Sequence, residues 1–135
     1  KKFLFIQLML VIAFFCVAFW FFYVQHQHEE TYMRWKQNWD FLVASIRGAS
    51  YYKLPKVFQW LTGNIGLHHI HHLSARIPNY NLEKCLRDNP LFTKYAVTLS
   101  FWDSLKTVTL KLYDEERKRM ISFSEFYQME RLRLA

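Results

Sequence analysis

The 135 residues are rich in hydrophobic side chains (52%) and aromatic side chains (19%), with only three glycines and three prolines. This composition excludes a disordered or collagen-like protein, while 21% charged residues exclude a bundle buried wholly in lipid. Two cysteines, Cys16 and Cys85, are too few for a disulfide scaffold, so we expect reduced thiols. The net charge is +7, but its basic residues are scattered among acidic ones, which favours proximity to anionic lipid over nucleic-acid binding.

The first feature along the chain is an apolar run from Phe3 to Val24, whose one polar side chain is Gln7. As a helix this run is roughly 33 Å long, against about 30 Å for the hydrocarbon core of a bilayer. The run is longer than the core of a secretory signal and no small-residue cleavage pattern follows it. We therefore predict a transmembrane helix over residues 1–24. Most basic residues follow the run, which predicts that residues 25–135 are cytoplasmic.

Beyond the apolar run the sequence indicates short helices, and we predict an all-α membrane protein. Asn38 and Gly48 mark the ends of one helix, and Pro55 marks the start of a second. Asn64 can cap a third helix, which carries most of the histidines. Evidence for strands is weak and is confined to residues 108–112.

The C-terminal third continues with helix signals. Asn81 can cap a short helix. Pro90 starts an amphipathic helix that extends through Leu105. Ser122 and Glu125 form a capping-box pattern, which predicts a last helix after them.

A tract of four histidines within five residues is the strongest chemical signal in the sequence. Its members are His68, His69, His71 and His72. At about 100° per residue, His68, His71 and His72 share one helical face, as imidazoles that bind one metal ion do. The spacing equally allows His68, His69 and His72 to converge. The alternative to metal binding, polar helix residues that touch lipid headgroups, explains one histidine better than it explains four.

Two further histidines, His26 and His28, follow the apolar run. In a continuing helix they are about 200° apart, so at most one of them points at a shared site. Imidazole ligands suit Zn, Cu, Fe or Ni, and the ligand type does not choose among these metals. The sequence has no Gly-rich phosphate loop, HExxH motif or Ser–His–Asp set, so phosphoryl transfer and zincin proteolysis have no support.

Five blocks of sequence follow one another in a distinctive order. They are residues 22–27 (FYVQHQ), 50–56 (SYYKLPK), 59–66 (QWLTGNIG), 68–74 (HHIHHLS) and 76–82 (RIPNYNL). Together they resemble the C-terminal half of the integral-membrane fatty acid desaturases, and among these the bacterial acyl-lipid branch related to the Δ12/omega-6 enzymes. The resemblance covers roughly residues 20–113.

The resemblance implies a set of metal ligands. These are His26, His68, His71 and His72. The family's third histidine box, HxxHH, corresponds to the last three, and the family's lone histidine at the cytoplasmic end of its last membrane helix corresponds to the first. His69 then becomes a neighbour rather than a ligand, and His28 has no dependable counterpart. Asn64 precedes the box by one helical turn and could orient a ligand or cap the helix.

The resemblance also implies a reaction. Enzymes of this family use two iron ions and dioxygen to remove two hydrogens from adjacent methylenes of a fatty acyl lipid, which leaves a cis double bond. Electrons would come from a partner such as ferredoxin or a b-type cytochrome. Related alternatives are an acyl hydroxylase or a carotenoid ketolase, and a non-enzymatic alternative is a single-pass membrane protein that binds metal.

The implied organisation has three parts: a transmembrane helix over residues 1–24, the C-terminal part of a desaturase domain over residues 25–113, and a helical tail over residues 114–135. The family's first two boxes, HxxxH and HxxHH, precede its last pair of membrane helices and have no counterpart here. We therefore expect a fragment of a longer integral-membrane enzyme, inactive by itself, with its active face and C-terminus in the cytoplasm.

Overall fold

A computed structural model describes residues 1–134, and helices account for 61% of the chain. The elements in chain order are α1 (Lys2–His26), a 3-10 turn (Lys36–Asn38), α2 (Phe41–Arg47), β1 (Tyr51–Tyr52), α3 (Lys56–Leu61), α4 (His68–Leu73), α5 (Asn79–Asp88), α6 (Pro90–Tyr95), β2 (Thr98–Leu99), α7 (Phe101–Thr107), β3 (Leu110–Asp114), β4 (Arg119–Ser122) and α8 (Phe123–Leu134). The predicted predominance of helix is confirmed. The four short strands correct the expectation of an all-α chain.

Helix α1 is long and apolar enough to cross a membrane, and no other helix within residues 1–134 meets that description. It ends at His26, two residues later than predicted. Most of its side chains are exposed, and burial begins near its C-terminal end with Val24 and Gln25. The other elements described in residues 1–134 therefore gather around the C-terminal end of α1, where Phe21 packs against Tyr52, and leave most of its apolar length exposed.

The core lies around α4 and α5. Leu67, Ile70 and Leu82 form its buried centre. Strand β1 brings Tyr51 onto this centre, because Tyr51 pairs with Thr98 of β2 in a parallel ladder and bridges to Leu67 on its other side. Burial of these side chains is the main term that stabilises α4, which has only six residues and would not persist alone.

Helix α2 begins later than predicted. The carboxylate of Asp40, not the side chain of Asn38, caps it by accepting a hydrogen bond from the backbone N–H of Val43 at 2.8 Å. A short carboxylate at this position satisfies one of the donors that a helix N-terminus leaves free. The predicted end before Gly48 and the predicted start of α3 after Pro55 are both confirmed.

The single amphipathic helix predicted from Pro90 to Leu105 is wrong, because α6 and α7 are separate helices with β2 between them. Ser100 and Asp103 form a capping box: the Ser100 hydroxyl accepts from the Asp103 N–H at 3.3 Å, and the Asp103 carboxylate accepts from the Ser100 N–H at 3.2 Å. The capping box begins α7 as a new helix. The residues just before it, Thr98 and Leu99, are extended and pair with β1.

The chain ends in a β-hairpin followed by α8, rather than in a helical tail alone. Strands β3 and β4 pair antiparallel. Their turn is held by Asp114, whose carboxylate accepts from the backbone N–H groups of Glu116 and Arg117 at 3.0 and 2.9 Å. The predicted cap of the last helix is present, since the Ser122 hydroxyl accepts from the Glu125 N–H at 3.1 Å.

Candidate metal centre

Hydrogen bonds join the end of α1 to two later segments, the one before β1 and the one that leads into α4. The side chain of Gln25 donates to the backbone carbonyl of Ile65 at 2.6 Å, and the Gln25 carbonyl accepts from the Ser50 N–H at 2.9 Å. Helix α4 is held from its other side by Ile70, which is fully buried in the core. The last residue of α1 and the histidine face of α4 therefore meet.

Three imidazoles converge where these helices meet. His72 Nε2 lies 3.0 Å from His26 Nε2 and 3.1 Å from His68 Nε2. All three rings offer nitrogens within 4.8 Å of one another. Two nitrogens that bind one ion at about 2.1 Å lie about 3.0 to 3.4 Å apart, so the two separations measured from His72 match those of ligands to one metal ion.

Hydrogen bonding alone does not satisfy this cluster. His26 Nδ1–H donates to the Phe22 carbonyl at 2.7 Å, so the neutral ring presents a lone pair at Nε2. Two nitrogens face His72 Nε2, but this atom can form only one hydrogen bond in the plane of its ring, either as a donor through its proton or as an acceptor through its lone pair. It can therefore satisfy one of its two neighbours. A cation at the centre would accept all three lone pairs, which is the arrangement that metal-binding imidazoles require.

The surroundings of His68 and His72 keep these two rings neutral. Burial, together with the neighbouring rings of His72 and His26, lowers the pKa of His68 to about 3. Burial, with His26 and His71 nearby, also lowers the pKa of His72. A neutral imidazole has a lone pair to give to a metal ion, whereas an imidazolium has none. Both rings are therefore ready to bind metal at neutral pH.

The structure separates the other tract members. His71 lies beside the cluster, with its ring stacked 5.6 Å from that of His68, but it is not among the three converging nitrogens. His69 points the opposite way, into the protein, between Tyr51 and Phe92. Its side chain is fully buried, and within residues 1–134 neither ring nitrogen has a hydrogen-bond partner. Neither set of three that helix spacing allows on α4 is complete within residues 1–134: only His68 and His72 converge, and the third nitrogen comes from His26 of α1.

His28 also lies apart from the cluster. Its side chain is fully buried, and neither of its ring nitrogens has a partner in the described part of the chain. Burial, with His26 and Arg47 nearby, lowers its pKa to about 4. The side-chain amide of Asn64 donates to the Asn79 carbonyl at 3.0 Å, and within residues 1–134 this side chain neither caps α4 nor makes a hydrogen bond to a histidine.

The Phe22 carbonyl, which orients His26, is a contributor to the site that the sequence does not indicate. Any residue type supplies a backbone carbonyl, so no sequence signal exists for it. Its position one helical turn before His26 follows only once α1 is known to continue through residue 26.

Comparison with known proteins gives the family. The family model for fatty acid desaturase matches residues 2–102. A fatty acid desaturase of Bacillus subtilis (strain 168) is 45% identical over 108 residues, which cover 79% of this chain and 30% of that protein. The sn-1 oleoyl-lipid 12-desaturase of Picosynechococcus sp. is 32% identical over 108 residues, covering 76% of this chain and 30% of that protein.

The omega-6 fatty acid desaturase, chloroplastic, of Glycine max is 31% identical over 100 residues, or 70% of this chain and 23% of that protein. The chain thus spans less than a third of the length of each of these relatives. No solved structure matches the chain. The resemblance predicted from the five sequence blocks is confirmed, and the chain belongs to the fatty acid desaturase family.

Proposed function

We propose that this chain supplies part of the iron centre of a membrane fatty acid desaturase, an oxidoreductase that uses dioxygen to form a cis double bond in an acyl lipid. The observation that carries this proposal is the convergence of His26, His68 and His72 in a member of the family. The three nitrogens come from two elements 42 residues or more apart in sequence, so local composition does not explain their meeting.

The proposed ligands are His26, His68, His71 and His72. The first, second and fourth converge in the structure. His71 lies beside His68 and would serve a second ion. Four imidazoles are too few for two iron ions, so the remaining ligands would come from other parts of a longer protein. For this reason we propose that residues 1–135 by themselves are inactive.

The protein's own contribution is to position and protect the ligands. The Phe22 carbonyl holds the proton of His26 on Nδ1, and burial keeps His68 neutral. Bound iron would supply the strong oxidant that unactivated C–H bonds require. Ile70 and the core around it fix the axis of α4, so the imidazoles need little reorganisation before they bind metal.

We further propose that α1 spans the membrane, with the metal centre and the C-terminus on the cytoplasmic side. An acyl chain would then reach the site from the lipid at the end of α1, where the apolar length of the helix gives way to the histidines. An electron donor such as ferredoxin or a b-type cytochrome would approach from the cytoplasm, where the basic excess of the chain favours an acidic partner.

The test is metal and product analysis of the complete protein. We expect stoichiometric iron in the purified protein and a newly unsaturated acyl chain by mass spectrometry. Stoichiometric zinc without iron would contradict the proposal and favour a non-enzymatic metal protein. A hydroxylated or keto product would assign the chain to a related oxidation instead.

A further inference from the structure

A basic cavity lies behind the candidate metal centre. Its volume is about 310 Å³. It is enclosed by the segment after α1, the end of α2 and the turn of the β3–β4 hairpin. Five basic side chains and one acidic side chain line it: Arg34, Arg47, Arg117, Lys118, Arg119 and Glu30. A cavity with this lining is a candidate site for an anion.

Carboxylates neutralise the basic side chains only in part. Arg47 contacts Glu30 at 2.9 Å, and the two hairpin arginines contact three further carboxylates. Within residues 1–134, Arg34 and Lys118 have no carboxylate within 4.0 Å. The lining has five basic residues, and the carboxylates that contact them belong to four acidic residues. The cavity keeps both net positive charge and free donors.

The arrangement of the donors favours phosphate over carboxylate. Each arginine has five N–H donors in a planar fork, and one carboxylate contact leaves several of them free. The donors come from three chain segments and face the cavity from several sides. A phosphate group has tetrahedrally arranged oxygens that accept from several directions at once, whereas a carboxylate accepts in one plane.

A second cavity indicates what the phosphate is attached to. It has a volume of about 760 Å³, and Trp35, Trp39 and Tyr113 contribute aromatic surface to it. The two cavities share Tyr32, Arg34 and Lys118. A ligand with its phosphate in the basic cavity would therefore have an apolar surface next to it, which suits an amphiphile better than a free ion.

The basic cavity is also joined to the metal centre. Thr31 lines it, and the Thr31 hydroxyl donates to the backbone carbonyl of His26 at 3.1 Å. We propose that this cavity binds the phosphate ester of the molecule that carries the acyl chain, with a phospholipid headgroup as its source. The inference rests on the proposed desaturase function, because that function requires an acyl carrier near His26.

The experiment measures lipid binding to the complete protein, purified in a neutral, phosphate-free detergent, by native mass spectrometry. The probes are phosphatidylglycerol, an uncharged galactolipid with the same acyl chains, and inorganic phosphate. We expect phosphatidylglycerol to bind at least about tenfold more tightly than the galactolipid. Inorganic phosphate should compete only weakly. Binding of inorganic phosphate alone would show an adventitious ion only and would overturn the inference, as would equal binding of the two lipids.

Variants assign the binding to this cavity. Arg34→Gln and Lys118→Gln should each weaken phosphatidylglycerol binding about tenfold. Lys84→Gln, which removes an exposed charge on α5, should leave it unchanged. Arg34 also donates to the Tyr113 hydroxyl, so Lys118, which makes no side-chain hydrogen bond within residues 1–134, is the variant that keeps the test valid if Arg34→Gln misfolds. An effect of the control equal to that of Lys118→Gln would refute the assignment.

The two proposals can fail separately. If phosphatidylglycerol binding depends on Lys118 but the complete protein holds no iron and forms no double bond, the proposed function fails and the phosphate site remains. If the complete protein contains iron and forms a double bond, but Arg34→Gln and Lys118→Gln both leave phosphatidylglycerol binding unchanged, the phosphate site is refuted and the proposed function remains.

Discussion

The same substitution at two histidines of α4, His69 and His72, should change different properties of the protein: its stability at the first position and its iron content at the second. The side chain of His69 is fully buried, and within residues 1–134 both its ring nitrogens lack a hydrogen-bond partner. An unmade hydrogen bond of a buried polar group costs about 1–3 kcal/mol. His69→Leu keeps a similar volume and removes the unpaired groups, so we expect it to raise the free energy of unfolding of the metal-free protein by about 1–3 kcal/mol.

His72→Leu is the matched variant. His72 is exposed and Leu is a good helix former, so this change should alter the stability of the metal-free protein by less than about 0.5 kcal/mol. It removes the nitrogen that lies closest to both His26 and His68. We expect the iron content of the complete protein to be lost in His72→Leu and to be retained in His69→Leu.

The assay combines chemical unfolding in detergent after chelation with metal analysis of the untreated protein. If His69→Leu lowers the stability, a group outside the described residues pairs with its ring in the complete protein. If His69→Leu loses as much iron as His72→Leu, His69 is a ligand, and the assignment of the ligand face from α4 is wrong.

Three further outcomes are expected. Ile70→Ala should destabilise the protein by about 2–5 kcal/mol in chemical unfolding, because Ile70 is fully buried in the core that holds α4, whereas Leu132→Ala on the exposed face of α8 should cost little. Ser100→Ala should cost about 0.5–2 kcal/mol through loss of the capping box and leave the iron content unchanged, and an equal loss in a Ser100→Thr variant would refute the capping role. Because burial lowers the pKa of His69 to about 4, below its ordinary value of 6.5, the unfolded chain binds a proton between these pH values and the folded chain does not. Stability should therefore fall as the pH drops from 6.5 towards 4, and thermal unfolding should show a smaller fall in His69→Leu.

The sequence was sufficient for features that depend on local pattern. The apolar run predicted α1, Pro55 and Gly48 predicted element boundaries, and the histidine tract predicted a short helix with imidazoles on one face. The break between α6 and α7 also had a local signal, since Ser100 and Asp103 have the spacing of a capping box. The longer amphipathic pattern concealed it, because apolar residues recur through both helices.

Other features depend on contacts between distant segments. Strands β1 and β2 have two residues each, and Tyr51 pairs with a partner 47 positions later, so neither strand shows an alternating pattern of its own. The convergence of His26 with His72 depends in turn on the hydrogen bond from Gln25 to Ile65. Helix geometry left two possible ligand sets on α4, and the packing that turns His69 towards Tyr51 and Phe92 is invisible to helix spacing alone.

The hairpin extends the support of the candidate metal centre beyond the residues that the family model matches. The backbone N–H of Met120 donates to the Glu29 carbonyl at 2.8 Å, and Arg119 contacts the carboxylate of Glu29 at 2.9 Å. Near the end of α1, the side chain of Gln27 donates to the Leu110 carbonyl at 3.1 Å. Because these contacts flank His26 on its C-terminal side, the hairpin limits how far the end of α1 can unwind. The orientation of His26 therefore depends on both Phe22 before it and the hairpin after it, although neither provides a ligand.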